Sequence, residues 1–569
     1  MLRWMRAGTL AALSAALVVG TGLVPAVAAG HKQAAAGATV TMALASGNSI
    51  NDWFPVESSI DESSPNLATN GLMYTDLVQI SPKDTADYAN SLAQSVTVNK
   101  SDTVFTIHLH PNLKWSNGTP VTSADVVWTY DLMAASCAKS APWAFAQCGS
   151  DGIPYQITSF TAQGPHAVVI NLNKGANPIW FIQNSLNAIV PAPKAVWDKY
   201  SNWNQELKWI SKLSDQPTAP QYAVVDGAFK FQSMVPNQYW AFVPNENYSG
   251  HKATISRFIW EYFASDAAEF AALRKGTLDV GYLPNSLYGA RGQLNGQYKI
   301  APQYNFGFTY IQPNFSPKAQ SVGATFNDLA VRQALQYGVD EQTMIKIANG
   351  VGVTDYGPIP SVPKNPFYDP KIGVPYPFNP AKGKQILLKD GYKMVNGVMT
   401  KKGVPLAFTL VYVSGNQTFT SWATLLKEDW AKEGIDLTLE TQPFTNIISL
   451  ESQQAAIVHK WAMVWWGGWG YFSYPTGDEV LGTGAIAWDG YNDAKMNALI
   501  AATEEPGTPA QIAQRLDTYQ VYAAQQVPIV YLPSTPTFWE VTPLLKGFMS
   551  TMAANGTYFP NLWTVSSQG

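Results

Sequence analysis

From Thr39 onward apolar positions recur with two spacings, every second residue or every third to fourth, and the alternation predicts a mixed α/β protein. Val104-Phe105-Thr106-Ile107-His108-Leu109-His110 has the spacing of a strand. Thr122-Ser123-Ala124-Asp125 is a capping box before Val126-Val127-Trp128, so a helix begins there and runs toward Cys137. Asn379-Pro380 supplies an N-cap and a first-turn proline, and Gly391 a left-handed stop after Ile386-Leu387-Leu388. Trp422, Leu425, Leu426 and Trp430 share one helical face; Gly434 ends that helix, and Ile435, Leu437 and Leu439 then alternate as a strand. Thr508-Pro509 repeats the start signal, with Ile512, Leu516 and Tyr519 inward, before a strand Pro528-Ile529-Val530-Tyr531. Pro191 to Pro193 and Gly357 to Pro366 read as loops, residues 31–38 as a flexible lead, and no 20-to-50-residue repeat suggests a solenoid.

The start of the chain follows another pattern. Arg3 and Arg6 precede an apolar run from Leu10 to Leu23, which closes on Ala26-Val27-Ala28-Ala29, the small-x-small signature of signal-peptidase cleavage. Residues 1–29 are therefore expected to be a signal peptide and are excluded from the fold. The arginines are not adjacent, which favours unfolded Sec export, and no cysteine lies near the cleavage site to accept a lipid. The mature chain is expected outside the cytoplasmic membrane, soluble, with no later stretch apolar enough to span a bilayer.

Composition narrows the class. With 569 residues, 43 Gly, 38 Pro and 13% charged residues, disordered, collagenous and coiled-coil chains are excluded. Lys+Arg 36 against Asp+Glu 40, with no basic run, argues against a nucleic-acid partner. The chain carries 20 Trp, 27 Tyr and 24 Phe but 6 His and 2 Cys. Most of those rings must be core, yet a Trp or Tyr that buries its face while its N–H or O–H holds a polar partner also suits a surface that grips solutes. Cys137 and Cys148 lie close in sequence in an exported chain and are expected to pair, worth about 3 kcal/mol for a loop of this size.

Catalytic signatures are missing: there is no G-x-x-x-x-G-K-[ST], H-E-x-x-H, G-x-S-x-G or C-x-x-C. His108 and His110 share a strand face without a third ligand at metal spacing, so a solvated face is expected rather than a metal site. Asp478-Glu479 and Glu504-Glu505 read as solvated surface acids, since adjacent carboxylates do not set the separation glycoside hydrolysis needs. No catalytic residue, cofactor or metal is expected. The densest ring cluster, Trp461, Trp465, Trp466, Trp469, Tyr471, Phe472 and Tyr474, is interrupted by Gly467, Gly468 and Gly470, which predicts a strand running into a loop that presents rings.

Leu92-Ala93, then Phe105-Thr106-Ile107-His108-Leu109, then Leu113-Lys114-Trp115-Ser116-Asn117-Gly118-Thr119-Pro120-Val121-Thr122-Ser123-Ala124-Asp125-Val126-Val127, together resemble the family 5 extracellular solute-binding proteins, the oligopeptide- and dipeptide-binding components of ABC importers. His110, where many members carry Arg or Lys, and the extra Ser123 are departures. The resemblance continues through Ile189-Val190-Pro191, Asp226-Gly227-Ala228-Phe229, Pro244-Asn245-Glu246-Asn247-Tyr248 and Ala272-Leu273-Arg274-Lys275-Gly276-Thr277-Leu278-Asp279-Val280. It is densest again at Asp328-Leu329-Ala330-Val331-Arg332-Gln333-Ala334-Leu335, followed by Gly338-Val339-Asp340 and Phe378-Asn379-Pro380-Ala381-Lys382.

The resemblance implies a two-lobed periplasmic-binding-protein fold of type II with an extra third domain. One lobe would combine residues 39–70, 190–300 and 533–569; the extra domain would be 71–189 and the second lobe 300–532. It further implies capture of a peptide or other small solute by hinge closure, delivery to ABC transporter permease subunits, and a monomer. An oligosaccharide is the alternative ligand, and a secreted hydrolase the alternative of another class. Trp466, Trp469, Tyr471 and Tyr474 align with the family's ligand-holding loop; Phe306, Phe308 and Tyr310 alternate where members place pocket tyrosines. Tyr531 sits near the returning crossover, and Glu57 to Ser59 follow the first strand. Each of these serves as readily in core packing as in ligand contact. The family's peptide binders carry an aspartate four residues before the loop proline, which fixes the peptide's α-ammonium; counting back from Pro475 places neutral Tyr471 there. A charged anchor contributes roughly 1.5–3 kcal/mol, so the solute is expected not to need a free amino terminus unless Asp478 or Asp489 replaces the charge.

N-terminal sequencing of the secreted protein is expected to start just after Ala28 or Ala29; Met1 on the mature chain contradicts export. Titration of the unreduced, denatured protein is expected to find no free thiol.

Overall fold

The computed structural model describes residues 37–294, 296–451, 457–471, 473–478, 480–483, 489–553 and 555–566. The expected signal peptide, most of the lead that follows it, Phe472 and Glu479 lie outside these residues.

Three sheets organise the chain. The largest has seven strands in the order β10 (Lys299–Gln303), β19 (Thr537–Val541), β9 (Val280–Leu283), β1 (Thr39–Ala43), β8 (Arg257–Glu261), β7 (Tyr239–Pro244) and β6 (Phe229–Val235). β1 lies parallel to β8 and β9, whereas β19 runs antiparallel to β9 and β10. The second sheet has five strands: β16 (Asp436–Gln442), β15 (Ala407–Val413), β17 (Met463–Gly470), β11 (Gly307–Pro313) and β18 (Val530–Leu532). β15 is parallel to β16 and β17, and β11 is antiparallel to β17 and β18. The third is an antiparallel sheet of β2 (Ala93–Val98), β3 (Val104–Leu109), β5 (Ala167–Leu172) and β4 (Ile157–Ala162). A small flap, β12 (Lys393–Val395), β13 (Val398–Lys401) and β14 (Val404–Pro405), and a C-terminal pair, β20 (Leu545–Lys546) with β21 (Thr564–Val565), complete the strands.

The predicted helix ends fall where their chemistry requires. Thr122 caps the helix Ser123–Ser136, and Asp125 accepts back from the Thr122 backbone N–H at 2.8 Å. The other Asp125 oxygen takes the Lys194 N–H at 2.9 Å, so the same cap fixes the segment after Pro191 to Pro193. Asn379 caps Pro380–Lys389, and Thr508 caps Pro509–Gln526. Gly434 ends Gln417–Glu433 at φ 88°, a left-handed conformation that costs glycine no steric penalty. The tryptophans of that helix face inward and keep their polar atoms paired: Trp422 Nε1 donates to the Met344 carbonyl and Trp430 Nε1 to that of Leu335, each at 2.9 Å. In β3, Phe105, Ile107 and Leu109 are buried while His108 points to solvent, and His110 lies within hydrogen-bond distance of the Tyr88 carbonyl through Nε2. The Cys137 and Cys148 sulfurs are bonded, with 5.4 Å between their α-carbons.

Two sheets meet through a pair of neighbouring connections. β10 and β19 are antiparallel neighbours in the seven-stranded sheet, with Gln303 opposite Thr537. Their continuations β11 and β18 are antiparallel neighbours in the five-stranded sheet, with Thr309 opposite Leu532. One two-stranded ribbon thus passes from sheet to sheet, unpaired only around residues 304–308 and 533–536. Val353 and Ser534 exchange backbone hydrogen bonds of 2.9 Å beside it.

The glycine-rich stretch forms a strand, Met463–Gly470, that keeps its pairing through all three glycines and then runs into the loop that carries Tyr471 and Tyr474. The reason is the closeness of β11: a Cβ on Gly468 would lie 2.4 Å from the Phe308 carbonyl oxygen, and one on Gly307 would collide with the Trp469 carbonyl. Glycine here removes side chains where two backbones need the space. Gly468→Ala is expected to lower stability by about 1–3 kcal/mol in urea denaturation, the cost of overpacking, while Gly470→Ala, whose Cβ meets nothing within 4 Å, stays within about 0.5 kcal/mol of wild type.

Candidate functional site

β17 sends consecutive tryptophans to opposite sides. Trp465 packs against Phe419 and Trp422 of the helix Gln417–Glu433, with ring centroids 4.2 and 6.1 Å away. The β11–β17 ladder jumps from Tyr310 opposite Gly467 to Gln312 opposite Val464, so β17 carries one extra residue at a bulge that re-aims its side chains. Trp466 turns toward Tyr310 and Phe444, edge to face at 5.7 and 6.2 Å.

On the Tyr310 side the rings form one group. Phe308 lies 5.3 Å from Tyr310, 5.9 Å from Tyr471 and 6.2 Å from Tyr531, and Phe306 lies 5.4 Å from Tyr471. The structure thus brings together six of the residues singled out in the sequence: Phe306, Phe308, Tyr310, Trp466, Tyr471 and Tyr531. Trp469, opposite Phe308, is half-buried, as is Trp466. Tyr471 is buried and its hydroxyl donates to the Pro358 carbonyl at 2.6 Å. Tyr474 points elsewhere: its hydroxyl donates to the Thr503 carbonyl at 2.9 Å, and Asn184 pairs with both its backbone N–H and C=O at 3.0 and 2.9 Å. Ser59 donates its backbone N–H to Ala144, and Glu57 is buried with Oε1 accepting from Asn70 Nδ2 at 2.9 Å.

Sequence reasoning named Glu57 and offered Asp489 as a replacement charge, but missed Glu451 and Glu62 in the polar half of this region. Glu451, just past the helix Phe444–Leu450, is 4% exposed, and its Oε2 accepts the Trp466 Nε1 proton at 2.6 Å. Asp489 is 1% exposed, with Oδ1 accepting the Tyr491 N–H at 2.9 Å. Glu62, in the loop after Glu57 to Ser59, accepts from Gln147 Nε2 at 2.6 Å. Among the described residues the other oxygens of Glu451 and Glu62, the Tyr310 and Tyr531 hydroxyls and the Gln312 Oε1 have no hydrogen-bond partner, whereas Asp489 also draws on the Gln312 side chain and Glu57 on the Ser63 backbone. The loop comes to the ring-bearing sheet through Ile60, whose carbonyl accepts from Ser449 Oγ at 3.5 Å. One signal was available: four acids, Asp52, Glu57, Asp61 and Glu62, crowd a short stretch that carries no basic residue. Glu451 is a lone acid in sequence and had none.

Burial pushes these acids up. Glu451 rises to about 8, first from burial and then from the Asp489 charge; Asp489 and Glu62 rise to about 7 by burial. Asp52 rises to about 8 through burial and then Asp61, and Glu57 is pushed well up by burial, Asp52 and Glu62. The Tyr310 phenol is pushed far up by burial and then by Glu451, Asp489 and Glu62. Among the described residues no ion pair reaches Glu57, Glu62, Glu451 or Asp489.

The acid pairs expected at the surface need correction. Asp478 is buried and accepts the Asp151 N–H at 2.6 Å, and Glu504 is buried with Oε2 accepting from Gln156 at 3.1 Å, whereas Glu505 is exposed. Both acids sit where the segment carrying β2 to β5 packs on the loop after β17, a contact no local pattern reveals.

A seven- and a five-stranded sheet joined by two short connections, with rings and buried acids gathered on one face, make a type II periplasmic-binding-protein fold, which holds a solute rather than transforming one. Residues 87–487 match the bacterial extracellular solute-binding proteins, family 5 (middle region), and the chain belongs to that family. It is similar to the oligopeptide-binding protein AppA of Bacillus subtilis, 23% identical over 457 residues covering 78% of this chain and 77% of AppA. The structure of AppA with a nonapeptide superposes with a TM-score of 0.80 at 19% identity, covering 93% of this chain and 99% of the other. The periplasmic oligopeptide-binding protein OppA of Salmonella typhimurium is 24% identical over 495 residues, 82% of this chain and 83% of OppA. NikZ of Campylobacter jejuni, solved with Ni(L-His), has a TM-score of 0.73 at 18% identity, covering 92% of this chain and 99% of NikZ. Membership makes this a binding protein and not an enzyme.

The upward shifts set the pH dependence of stability. Between the ordinary carboxyl range near 4 and about pH 8 the folded chain holds protons that the unfolded chain has released, so stability falls as pH rises through that window. Scanning calorimetry of the protein stripped of ligand is expected to give a lower thermal midpoint at pH 8 than at pH 5.5, and Glu451→Gln to shrink the difference.

Proposed function

We propose that this chain is exported by its N-terminal signal, cleaved near Ala28 or Ala29, and acts as a monomer that captures a peptide or peptide-like solute and delivers it to ABC transporter permease subunits. The observation that carries the reading is the ring group on and beside β11, β17 and β18, with Trp466 hydrogen-bonded to the buried Glu451 at its edge. AppA and OppA, similar over more than three quarters of this chain, are named for oligopeptides, which supports the peptide class. Among the described residues no helix is long and apolar enough to cross a membrane.

The proposed division into lobes fits the strand origins. The seven-stranded sheet draws on residues 39–43, 229–261, 280–303 and 537–541, which fall in the segments 39–70, 190–300 and 533–569 assigned to the first lobe except that β10 runs three residues past 300, to Gln303. The five-stranded sheet draws on 307–313, 407–413, 436–442, 463–470 and 530–532, within the second lobe at 300–532. The four-stranded sheet lies within 93–172, inside the extra domain at 71–189. Closure about residues 304–306 and 533–536 then brings the Glu57 to Glu62 loop of the first lobe over the rings of the second, and only the closed, loaded form presents both lobes to the permease.

Incubation with a mixture of peptides and oligosaccharides, followed by native mass spectrometry, is expected to show one intact peptide retained per chain and no cleaved product. Retention of an oligosaccharide in its place assigns the rings to sugar stacking and overturns the peptide reading.

A further inference from the structure

The loop after β17 leaves the ring group at Tyr471 and is caught, three residues on, by the segment that carries the four-stranded sheet. Asn184, in the turn Phe181–Ser185, brackets Tyr474: its Nδ2 donates to the Tyr474 carbonyl at 2.9 Å and its Oδ1 accepts the Tyr474 N–H at 3.0 Å. The Ser473 hydroxyl meets the Gln183 side chain at 2.7 Å and the Asp84 carboxylate beside it. Further along the same loop Asp478 accepts the Asp151 N–H at 2.6 Å. A second strip lies just past the helix Ala494–Thr503, where the Glu504 carbonyl accepts the Asn177 N–H at 2.6 Å and its carboxylate the Gln156 side chain at 3.1 Å. Asp151, Asn177, Asn184, Ser473 and Tyr474 are each at most 1% exposed.

Every one of these bonds joins a residue of 71–189 to a residue of 300–532. On the first side the donors form one body: Cys148, three residues before Asp151, is bonded to Cys137 at the end of the helix Ser123–Ser136, and Ser185, next to Asn184, donates its hydroxyl to the Asp151 carbonyl. The first lobe meets the second at greater distances, with Asp266 accepting the Gln417 N–H at 3.3 Å and giving its own N–H to Gly415 at 3.4 Å, and Ser449 reaching the Ile60 carbonyl at 3.5 Å. Asp151 and Asn177 are backbone donors whose acceptors lie across the boundary, so no separation of the two bodies leaves them paired. Hydrogen bonds of this kind suit a contact that opens, because water replaces each partner and the net cost of parting stays small. Acids stand on both sides, Asp151 on one and Asp478 and Glu504 on the other, and their charges oppose the contact, with Lys174 a counter-charge near Glu504.

Resting on the lobes and the closure over solute proposed above, we propose that Asn184, with the Asp151 and Asn177 amides, forms a clasp by which the extra domain holds the loop after β17 in the closed form and releases it when the cleft opens. Asn184 is then a positioning residue: it acts on the ring group through the short stretch of chain from Tyr471 to Tyr474 and does not itself touch solute.

Hydrogen exchange on the full mature chain, resolved to single amides by mass spectrometry and corrected for intrinsic rates, reads the clasp directly. In protein stripped of solute the Asp151 and Asn177 amides are expected to exchange together, at least tenfold faster than those of Phe105 and Ile107 in β3 of the same segment. A tryptic digest of casein, as a source of free peptides, is expected to slow that pair tenfold or more. Asn184→Ala is expected to speed the pair tenfold or more and to leave β3 unchanged. Asn187→Ala, which loses a bond of the same kind to the Val78 carbonyl inside the extra domain, is expected to leave the pair within threefold of wild type. Should Asn184→Ala fail to fold, Asn184→Asp takes its place, keeping the acceptor for the Tyr474 N–H and losing the donor to its carbonyl. Asp151 and Asn177 amides that exchange only as slowly as β3 mark a permanent interface and overturn the clasp, as do equal effects of the Asn184 and Asn187 variants. A digest that leaves the pair unchanged overturns the clasp if native mass spectrometry finds a peptide retained. If none is retained, the peptide reading falls instead, and the response to the Asn184 variant alone decides the clasp.

Discussion

At Gly307 and Gly468 the backbones of β11 and β17 approach until no β-carbon fits between them. Ring placement on the five-stranded sheet depends on that contact. It draws two strands together beside the bulge that sends Trp465 into the helix-covered core and Trp466 toward Tyr310. Without the glycines the strands would separate, and Phe308, Tyr310 and Trp466 would lose the spacing that makes them one surface.

The acids around those rings oppose the ordinary rule that buried charge is paired. Some acids elsewhere obey it, with Asp328 capping a helix and receiving Lys401 and Asp429 held by Lys432, whereas Glu433 and Glu540 are buried and raised by burial like those around Tyr310. Around Tyr310 there is no such pairing, and the carboxylates are raised toward neutrality instead. A chain selected for stability alone would have replaced them with amides or apolar residues.

What could be read from sequence was what acts over a few residues. Caps at Thr122, Asn379 and Thr508 and the stop at Gly434 are local chemistry, and each stands where it was placed. The family motif around Asp328 and Arg332 acquires a physical reason only in three dimensions. Arg332 donates to the carbonyls of Phe326, Asn327 and Gln526 while stacking near Phe315 and Tyr491, so it ties the start of its own helix to the end of another. Six of the predicted rings converge because a strand period and a family alignment suffice to place them. Glu451 was invisible and Asp478 and Glu504 were misjudged because burial by a distant segment leaves no trace in neighbouring residues. The glycines of β17 were legible as unusual, but the partner that requires them lies more than a hundred residues away.

The ribbon linking the two large sheets constrains how the sequence can vary. β10 and β19 leave one sheet as neighbours, and their continuations β11 and β18 enter the other still side by side. A residue inserted in one connection alone must either loop out or push its strand one step along its partner. In the second case Phe308 and Tyr310 would turn to the opposite face, because the pleat repeats every two residues. The lengths of the two crossings, some two hundred residues apart in the chain, are therefore linked, and lineages of this protein should gain or lose residues there in matched pairs.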